Sequence, residues 1–216
     1  MPPAPDRRRW HPSTIEGQLV VLRRHRPENL AAVLRWYRDP ELARLTRYQV
    51  RAMATEEIEA FFRARLLADD ALAYAIHERA GDRLIGLTTF SALDPDNGSA
   101  LFHITIGERD AWDHGRGTET VELMLRHAFE TLGLNRVGLS VFSFNERAIR
   151  AYEKAGFQVE GRLRQAIWRD GQRWDELAMG ILADEWQRRR VRGEVAAPAP
   201  PSAAGTATGR TDGHLS

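Results

Sequence analysis

The chain has 216 residues, of which 43% are apolar, and this is enough for one compact domain with a sizeable core. Its formal net charge of +1 argues against a nucleic-acid or anionic-membrane partner, and the absence of cysteine excludes disulfides, thiolate metal sites and a cysteine nucleophile. No apolar stretch approaches the length of a bilayer span, and the N-terminus has no apolar segment typical of a signal peptide, so we expect a cytoplasmic protein.

The two ends of the chain differ in composition from the middle. Seven of the ten prolines lie in the first 12 or the last 24 residues, and the C-terminal stretch is rich in Ala, Pro, Ser, Thr and Gly. Such segments have little apolar surface to bury. We therefore predict disordered tails over residues 1–12 and 193–216 and a single folded domain over residues 13–192.

Strand patterns and helical patterns alternate through the first half of this domain. The sequence QLVVLRR (18–24) predicts a strand, and helical patterns follow at 27–39 and 55–67. Gly81 and Asp82 then mark a hairpin turn within a group of three strand patterns. These three predicted strands are residues 71–79, 83–93 and 100–107. The middle of the chain is therefore predicted to be an antiparallel meander.

The second half contains the clearest helix, over residues 118–132, where apolar residues recur on one helical face and Gly133 provides a stop. The remaining predicted elements are a strand at 136–142, a capped helix at 145–156, and a final hairpin with strands at 163–168 and 175–182. The strand–helix–strand–helix order from 100 to 155 implies at least one parallel crossover within an otherwise antiparallel sheet. The predicted fold class is α+β, or mixed α/β.

The sequence AWDHGRGTE (111–119) joins a predicted strand to the long helix and carries two glycines, Gly115 and Gly117. Glycine accepts positive φ and close approach of a ligand, and a helix start offers unpaired amides and the positive end of a dipole. The amides of His114 through Thr118, with the Thr118 hydroxyl, would therefore form an anion cradle. A tight strand-to-helix turn explains the same glycines without a ligand. There is no GK[ST] and no third glycine for a dinucleotide, so another phosphate compound would be needed.

A second pattern follows in NERAIRAYEKAGF, where Asn145 can cap a helix and Tyr152 lies seven residues further on. Seven residues are two turns less about 20°, so both side chains lie along one helical face. They could line a slot for an extended ligand. The alternative is a capped helix whose tyrosine packs at the edge of the core.

Together these stretches resemble the acyl-CoA-binding half of the GCN5-related N-acetyltransferase (GNAT) superfamily. Its motif [QR]-x-x-G-x-[GA] is matched by WDHGRG, with Trp112 in the first position. This departure, and the stretches LVVLRRHRPENL, FNERAIRAYEKAGFQVEGRLRQ and DGQRWDELAMGIL, are similar to the branch of ribosomal-protein N-terminal acetyltransferases and spermidine acetyltransferases. The resemblance covers residues 18 to 182. It implies a mixed sheet of six or seven strands with a V-shaped split and helices on both faces, forming one acyl-CoA N-acyltransferase domain.

The resemblance also implies an activity and a set of site residues. The activity is direct transfer of an acetyl group from acetyl-CoA to a primary amine, either a protein N-terminal α-amine or a small molecule. Tyr152 would give a proton to the departing thiolate, and a backbone amide near Ile106 or Gly107 would hold the oxyanion. The CoA-binding set would be the amides of His114, Gly115, Arg116, Gly117 and Thr118, the Arg116 side chain, main-chain groups near Ile106, and Asn145.

The general base is not marked by a strand carboxylate, because the corresponding stretch reads ALFHITIG. His103 is its only titratable side chain and is our candidate base, with Glu108 and Asp175 as lesser candidates. The histidines show no metal-ligand spacing, so no metal is expected. Without a strand carboxylate, a non-catalytic acyl-CoA-binding sensor or scaffold remains an alternative.

The acceptor is expected to contact residues 39–70 and the final hairpin. Neither segment has the acidic cluster expected for a polyamine, which favours a peptide N-terminus or a small amine. The arginine run at 188–192 suggests nucleic acid, but it also suits the C-terminal dipole of a helix. The expected partners are acetyl-CoA and an amine, with no nucleic acid or membrane, in a monomer or homodimer.

Overall fold

A computed structural model of the chain describes residues 11–195. The predicted tails over 1–12 and 193–216 fall almost entirely outside the described residues. The eight strands are β1 (Thr14–Glu16), β2 (Val20–Arg24), β3 (Ala73–Glu78), β4 (Leu84–Asp94), β5 (Ser99–Ile106), β6 (Arg136–Phe142), β7 (Gln158–Arg169) and β8 (Gln172–Leu182). The six α-helices are α1 (Leu30–Arg38), α2 (Pro40–Thr46), α3 (Thr55–Phe61), α4 (Arg116–Arg126), α5 (Glu146–Ala155) and α6 (Ala183–Val191).

All eight strands form one sheet in the order β1-β2-β3-β4-β5-β6-β8-β7. Every neighbouring pair is antiparallel except β5 and β6, which are parallel. This confirms the predicted α+β class and the predicted parallel crossover, which runs from β5 through α4 to β6. The sheet has eight strands rather than six or seven, because the short strand Thr14–Glu16 pairs with β2 ahead of the first predicted strand.

Helices cover both faces of the sheet. On one face, α4, α5 and α6 pack on the larger core cluster, which contains Phe102, Met124, Tyr152 and Trp186. On the other face, α1 and α3 pack on a smaller cluster around Trp36 and Leu87. The sheet is therefore buried on both faces over most of β3 and the first half of β4.

Several predicted helices have different limits in the structure. The pattern at 27–39 becomes a short 3-10 turn at Pro27–Asn29 and then α1, and α2 starts separately after Asp39. The Asp39 carboxylate accepts hydrogen bonds from the amides of Glu41 and Leu42, so it caps α2, and Pro40 fits the first helical position. The helices α3 and α4 each continue into one π-helical turn, at Phe62–Leu66 and His127–Thr131.

Candidate active site

The sheet opens between the two parallel strands. Only three residue pairs join β5 to β6, from Ser99 with Arg136 to Leu101 with Gly138, and beyond them the strands separate. The Gly107 amide donates to Ile85 of the neighbouring β4 at 2.8 Å. Hydrogen-bonded pairs alternate in an antiparallel ladder, so the backbone groups of Ile104 and Ile106 point away from β4 and into the opening. An extended ligand could pair with them as an added strand.

A cleft of about 1180 Å³ occupies this opening, and residues from both faces of the sheet line it. Adjacent side chains on a strand point to opposite faces. Phe102 belongs to the core under α4 and α5, so His103 faces α1 and α3. The cleft can therefore be approached by two molecules, one on each face.

The glycine loop starts α4 at one end of this cleft. Gly115 has a φ of +79° and is the N-cap residue, and no side chain caps the helix. The first intrahelical bond runs from the Glu119 amide to the Gly115 carbonyl at 2.9 Å. The amides of Arg116, Gly117 and Thr118 consequently have no partner within the helix. Unpaired amides beside a cleft are a ready anion site at the positive end of the helix dipole.

The side chains of this loop are placed differently from their amides. The Arg116 guanidinium forms an ion pair with Glu78 on β3 at 2.7 Å, so its charge is already neutralised. His114 is exposed and is not part of the cleft wall, whereas Gly115, Gly117 and Thr118 are. The backbone of the loop, which the sequence predicts to bind a phosphate, therefore lies at the cleft, whereas the Arg116 side chain is directed toward Glu78.

Another arginine lies beside the loop. Arg147 on α5 stacks on the Trp112 ring, with its guanidinium carbon 3.5 Å from the ring centroid, and both residues line the cleft. The Trp112 indole N–H donates to the Ile106 carbonyl at 2.9 Å, which fixes the ring. Within residues 11–195 no carboxylate forms an ion pair with Arg147. The Arg147 guanidinium is thus held over Trp112, the first residue of the loop motif. No local sequence pattern indicated this contact.

The helix α5 carries the other two predicted contacts. Asn145 caps it, accepting from the Ala148 amide at 3.3 Å, and its amide nitrogen donates to the Leu45 carbonyl at 3.4 Å. Tyr152 lies two turns further, packs edge-to-face on Phe102, and contributes to the cleft wall. Burial alone raises the pKa of the Tyr152 phenol to about 12. The phenol therefore stays protonated at neutral pH, as a proton donor must.

His103 lies on the opposite face of the sheet from Tyr152. Its Nε2 atom is 2.6 Å from the Ser91 hydroxyl, and desolvation by burial lowers the pKa of its imidazole below the usual 6.5. At neutral pH the ring is uncharged and can accept a proton. The structure thus brings Tyr152 and His103 to the same cleft from its two sides.

The other sequence candidates are engaged elsewhere. Glu108 accepts hydrogen bonds from Arg35 and from the Trp36 indole N–H. Asp175 accepts from Arg162 at 2.7 Å and from the Gln165 amide at 2.8 Å, and these bonds hold the pKa of its carboxyl low. Because the Gly107 amide is bonded to Ile85, Ile106 is the better placed of the two predicted oxyanion amides.

A buried carboxylate beside the cleft was not identified from the sequence. Glu176 on β8 is 6% exposed and accepts a hydrogen bond of 2.5 Å from the Tyr48 hydroxyl, whose side chain lines the cleft. Desolvation of the phenol, together with this bond, raises the pKa of Tyr48 to about 12. The two residues are 128 positions apart. The only local indication was Glu176 itself, a charged residue within the apolar strand pattern 175–182.

Residues 11–195 lack two further features. No group of three or more His, Cys, Asp or Glu side chains is arranged to hold a metal ion. None of the helices in this part of the chain combines the length and the apolar character needed to span a bilayer.

Comparison with known proteins gives consistent results. A family model described as an acetyltransferase (GNAT) domain matches residues 20–158. The chain is 26% identical over 178 residues to the uncharacterized N-acetyltransferase p20 of Bacillus licheniformis, covering 80% of this chain and 98% of p20. It is 28% identical over 172 residues to the uncharacterized N-acetyltransferase YoaA of Bacillus subtilis strain 168, covering 78% and 96% of the two chains.

A solved structure shares the fold. The spermidine N-acetyltransferase from Vibrio cholerae, in complex with CoA and spermine, matches with a TM-score of 0.71 at 21% identity. The match covers 79% of this chain and 99% of that one. At this identity the likeness is one of fold.

Proposed function

Because the chain belongs to the GNAT acetyltransferase family, we propose that it transfers an acetyl group from acetyl-CoA to a primary amine by direct attack within a ternary complex. The amine is a protein N-terminal α-amine or a small molecule. One observation carries the proposal. The uncapped amides of Arg116, Gly117 and Thr118 lie beside two strands that separate, so a phosphate site adjoins a slot for an extended arm.

The chain's own residues divide the binding of CoA between backbone and side chains. The amides of the glycine loop, from His114 to Thr118, hold the diphosphate, and Arg147 adds a charge. The Ile106 carbonyl already accepts a hydrogen bond from the Trp112 indole, so the Ile106 amide is the group left for the ligand. This amide pairs with the pantetheine arm or holds the oxyanion. Asn145 lines the same wall and contacts the arm.

Two side chains handle the protons. His103, neutral and on the α1 and α3 side, accepts the proton of the attacking amine as the carbon–nitrogen bond forms. Tyr152, on the α4 and α5 side, donates its proton to the thiolate as the carbon–sulfur bond breaks. Both residues return to their starting states by exchange with solvent. Their opposite positions suit attack and departure on two sides of one carbonyl.

Replacing Arg147 with methionine is expected to weaken CoA binding about tenfold, which is about 1.4 kcal/mol. Methionine keeps most of the apolar stem but removes the charge over Trp112, so only the electrostatic contribution is lost. Calorimetric titration with CoA measures the effect. Arg188→Met, which removes an exposed arginine paired with Asp184 on α6, is the matched control. Equal affinities of Arg147→Met and wild type would contradict this role for Arg147.

The transfer rate at saturating acceptor is expected to fall as the pH drops through the pKa of His103, below 6.5. The neutral ring is the active form, so activity is present above this pKa and lost below it. His103→Gln should lower the rate about 100-fold or more and remove this acid limb. His77→Gln on β3, whose ring lies near Asp82, is the control. Initial rates measured across the pH range test this role. An unchanged acid limb in His103→Gln would show that His103 is not the base.

The function as a whole is tested by supplying acetyl-CoA with a panel of amines. Thiol release that requires an amine, with the acetylated amine detected by mass spectrometry, supports the transferase. CoA binding without transfer to any amine would instead support the alternative, a non-catalytic acyl-CoA-binding sensor or scaffold.

A further inference from the structure

The half of the cleft that faces α1 and α3 has an aromatic wall and an unusual charge distribution. Tyr37 and Phe61 pack together with ring centroids 5.1 Å apart, and Tyr48 packs edge-to-face on Phe142. All four residues line the cleft. An acceptor molecule would therefore rest on aromatic side chains, and its polar groups would have to be matched by the few charged residues of this wall.

Within residues 11–195, Arg47 is a charged residue of this wall that has an unsatisfied hydrogen-bond donor. It follows directly after α2, and its Nη1 atom is buried without a hydrogen-bond partner among the described residues. The nearby carboxylate of Glu57 accepts two hydrogen bonds from Arg51 and one from the Ala54 amide, so it is already engaged. Burial lowers the pKa of the Arg47 guanidinium. A partly buried cation with an unsatisfied donor costs free energy unless a ligand supplies an acceptor.

The other charged residues of this wall also favour an anionic ligand. Arg65 also lines it, and within residues 11–195 no carboxylate forms an ion pair with it. Asp70 is the only carboxylate among the described lining residues of this half. Glu176 lies behind Tyr48 and already accepts a hydrogen bond from the Tyr48 hydroxyl. A polyamine would bring several positive charges to a wall with two arginines and one aspartate, whereas an anion would be complementary.

We infer that the acceptor is a primary amine that also carries a carboxylate, as in an amino acid or short peptide, and that the Arg47 guanidinium binds this carboxylate. The inference rests on the proposed function, since it concerns the acceptor of that reaction. The fork-shaped guanidinium of arginine matches the two oxygens of a carboxylate. A carboxylate bound there would supply the acceptor that the buried Nη1 atom lacks within the described part of the chain. Arg47 then sets specificity and takes no part in proton transfer.

The test compares acceptors that differ only in the carboxylate. Ala-Ala is paired with Ala-Ala-amide, Asp-Ala-amide with Asn-Ala-amide, and spermidine is included as a polycation. We expect the KM of a carboxylate-bearing member to be about 10- to 100-fold lower than that of its neutral partner, with kcat similar. Arg47→Met should remove this difference, and Arg47→Lys should retain part of it. Arg63→Met, an exposed arginine paired with Glu59, should leave the difference intact.

A binding measurement keeps the test independent of turnover. N-acetyl-Ala-Ala and its amide are titrated into the CoA-bound protein, wild type and Arg47→Met, and the acid should bind more tightly only to wild type. Equal binding of acid and amide, or binding of neither, overturns the inference. A preference that persists in Arg47→Met also overturns it.

Three outcomes separate this inference from the proposed function and from a role of Arg47 in CoA binding. Acetylation of amines without preference for a carboxylate would overturn the inference and leave the proposed function standing, whereas CoA binding without transfer to any amine would remove the proposed function. If Arg47→Met weakens binding of CoA itself, the anion that Arg47 binds is a CoA phosphate and the inference is wrong. Thermal melting of each variant confirms that the compared proteins are folded.

Discussion

Replacing Tyr152 with phenylalanine is expected to slow the acyl-transfer step about 10²- to 10⁴-fold while leaving the affinity for CoA unchanged. The phenol is buried, its pKa is about 12, and it lines the cleft on the face opposite His103. Phenylalanine keeps the ring and its contact with Phe102, so packing is preserved and only the proton is lost. Single-turnover experiments with saturating acetyl-CoA isolate this step from product release.

Tyr74→Phe provides a matched control for this variant. Tyr74 is also a buried tyrosine, but it lies on β3 away from the cleft, and its hydroxyl has no hydrogen-bond partner among the described residues. Removing an unsatisfied buried hydroxyl should be neutral or stabilising and should not change the transfer rate. If Tyr152→Phe turns over as fast as Tyr74→Phe, another group protonates the thiolate and the assignment of Tyr152 fails.

The fold could be predicted from the sequence wherever its evidence is local. Between residues 99 and 142, the two strands and the helix each have their own periodicity, and the glycine loop and Gly133 mark where the helix begins and ends. The structure has these elements within a few residues of the predicted limits. The strand β1 has only three residues, too few to show an alternating pattern, and it forms because β2 offers an edge. The split between β5 and β6 came from the family resemblance, because their diverging halves show the same apolar pattern as paired strands.

The site residues divide in the same way. The positions of Gly115, Asn145 and Tyr152 at the cleft could be predicted from the sequence, because helix starts and helix faces are set by neighbours in the chain. Arg116 lies in the loop, yet its side chain pairs with Glu78, which is 38 residues earlier and on another strand. Contacts between distant segments, such as Arg147 with Trp112 and Tyr48 with Glu176, depend on tertiary packing and have no counterpart in local spacing.

Introducing a carboxylate into the glycine loop should separate the two explanations of its glycines. If the loop is only a turn, Thr118→Asp places a negative charge in the first turn of α4, where the helix dipole stabilises it by about 0.3–1 kcal/mol. If the amides hold a diphosphate, the same carboxylate repels the ligand by about 4 kcal/mol for a charge about 4 Å away. We therefore expect unchanged or higher thermal stability together with CoA binding weakened about 100- to 1000-fold.

Thr118→Asn is the control, because it has nearly the same shape as aspartate without the charge. It should lose only the Thr118 hydroxyl contact, so its affinity for CoA should fall by less than about tenfold. The contrast between the two variants should shrink as salt is added, since screening weakens repulsion between partly exposed charges. Equal affinities of Thr118→Asp and Thr118→Asn at low salt would mean that no phosphate lies at this helix start. The uncapped amides would then serve only the turn, and the proposed function would lose the observation that carries it.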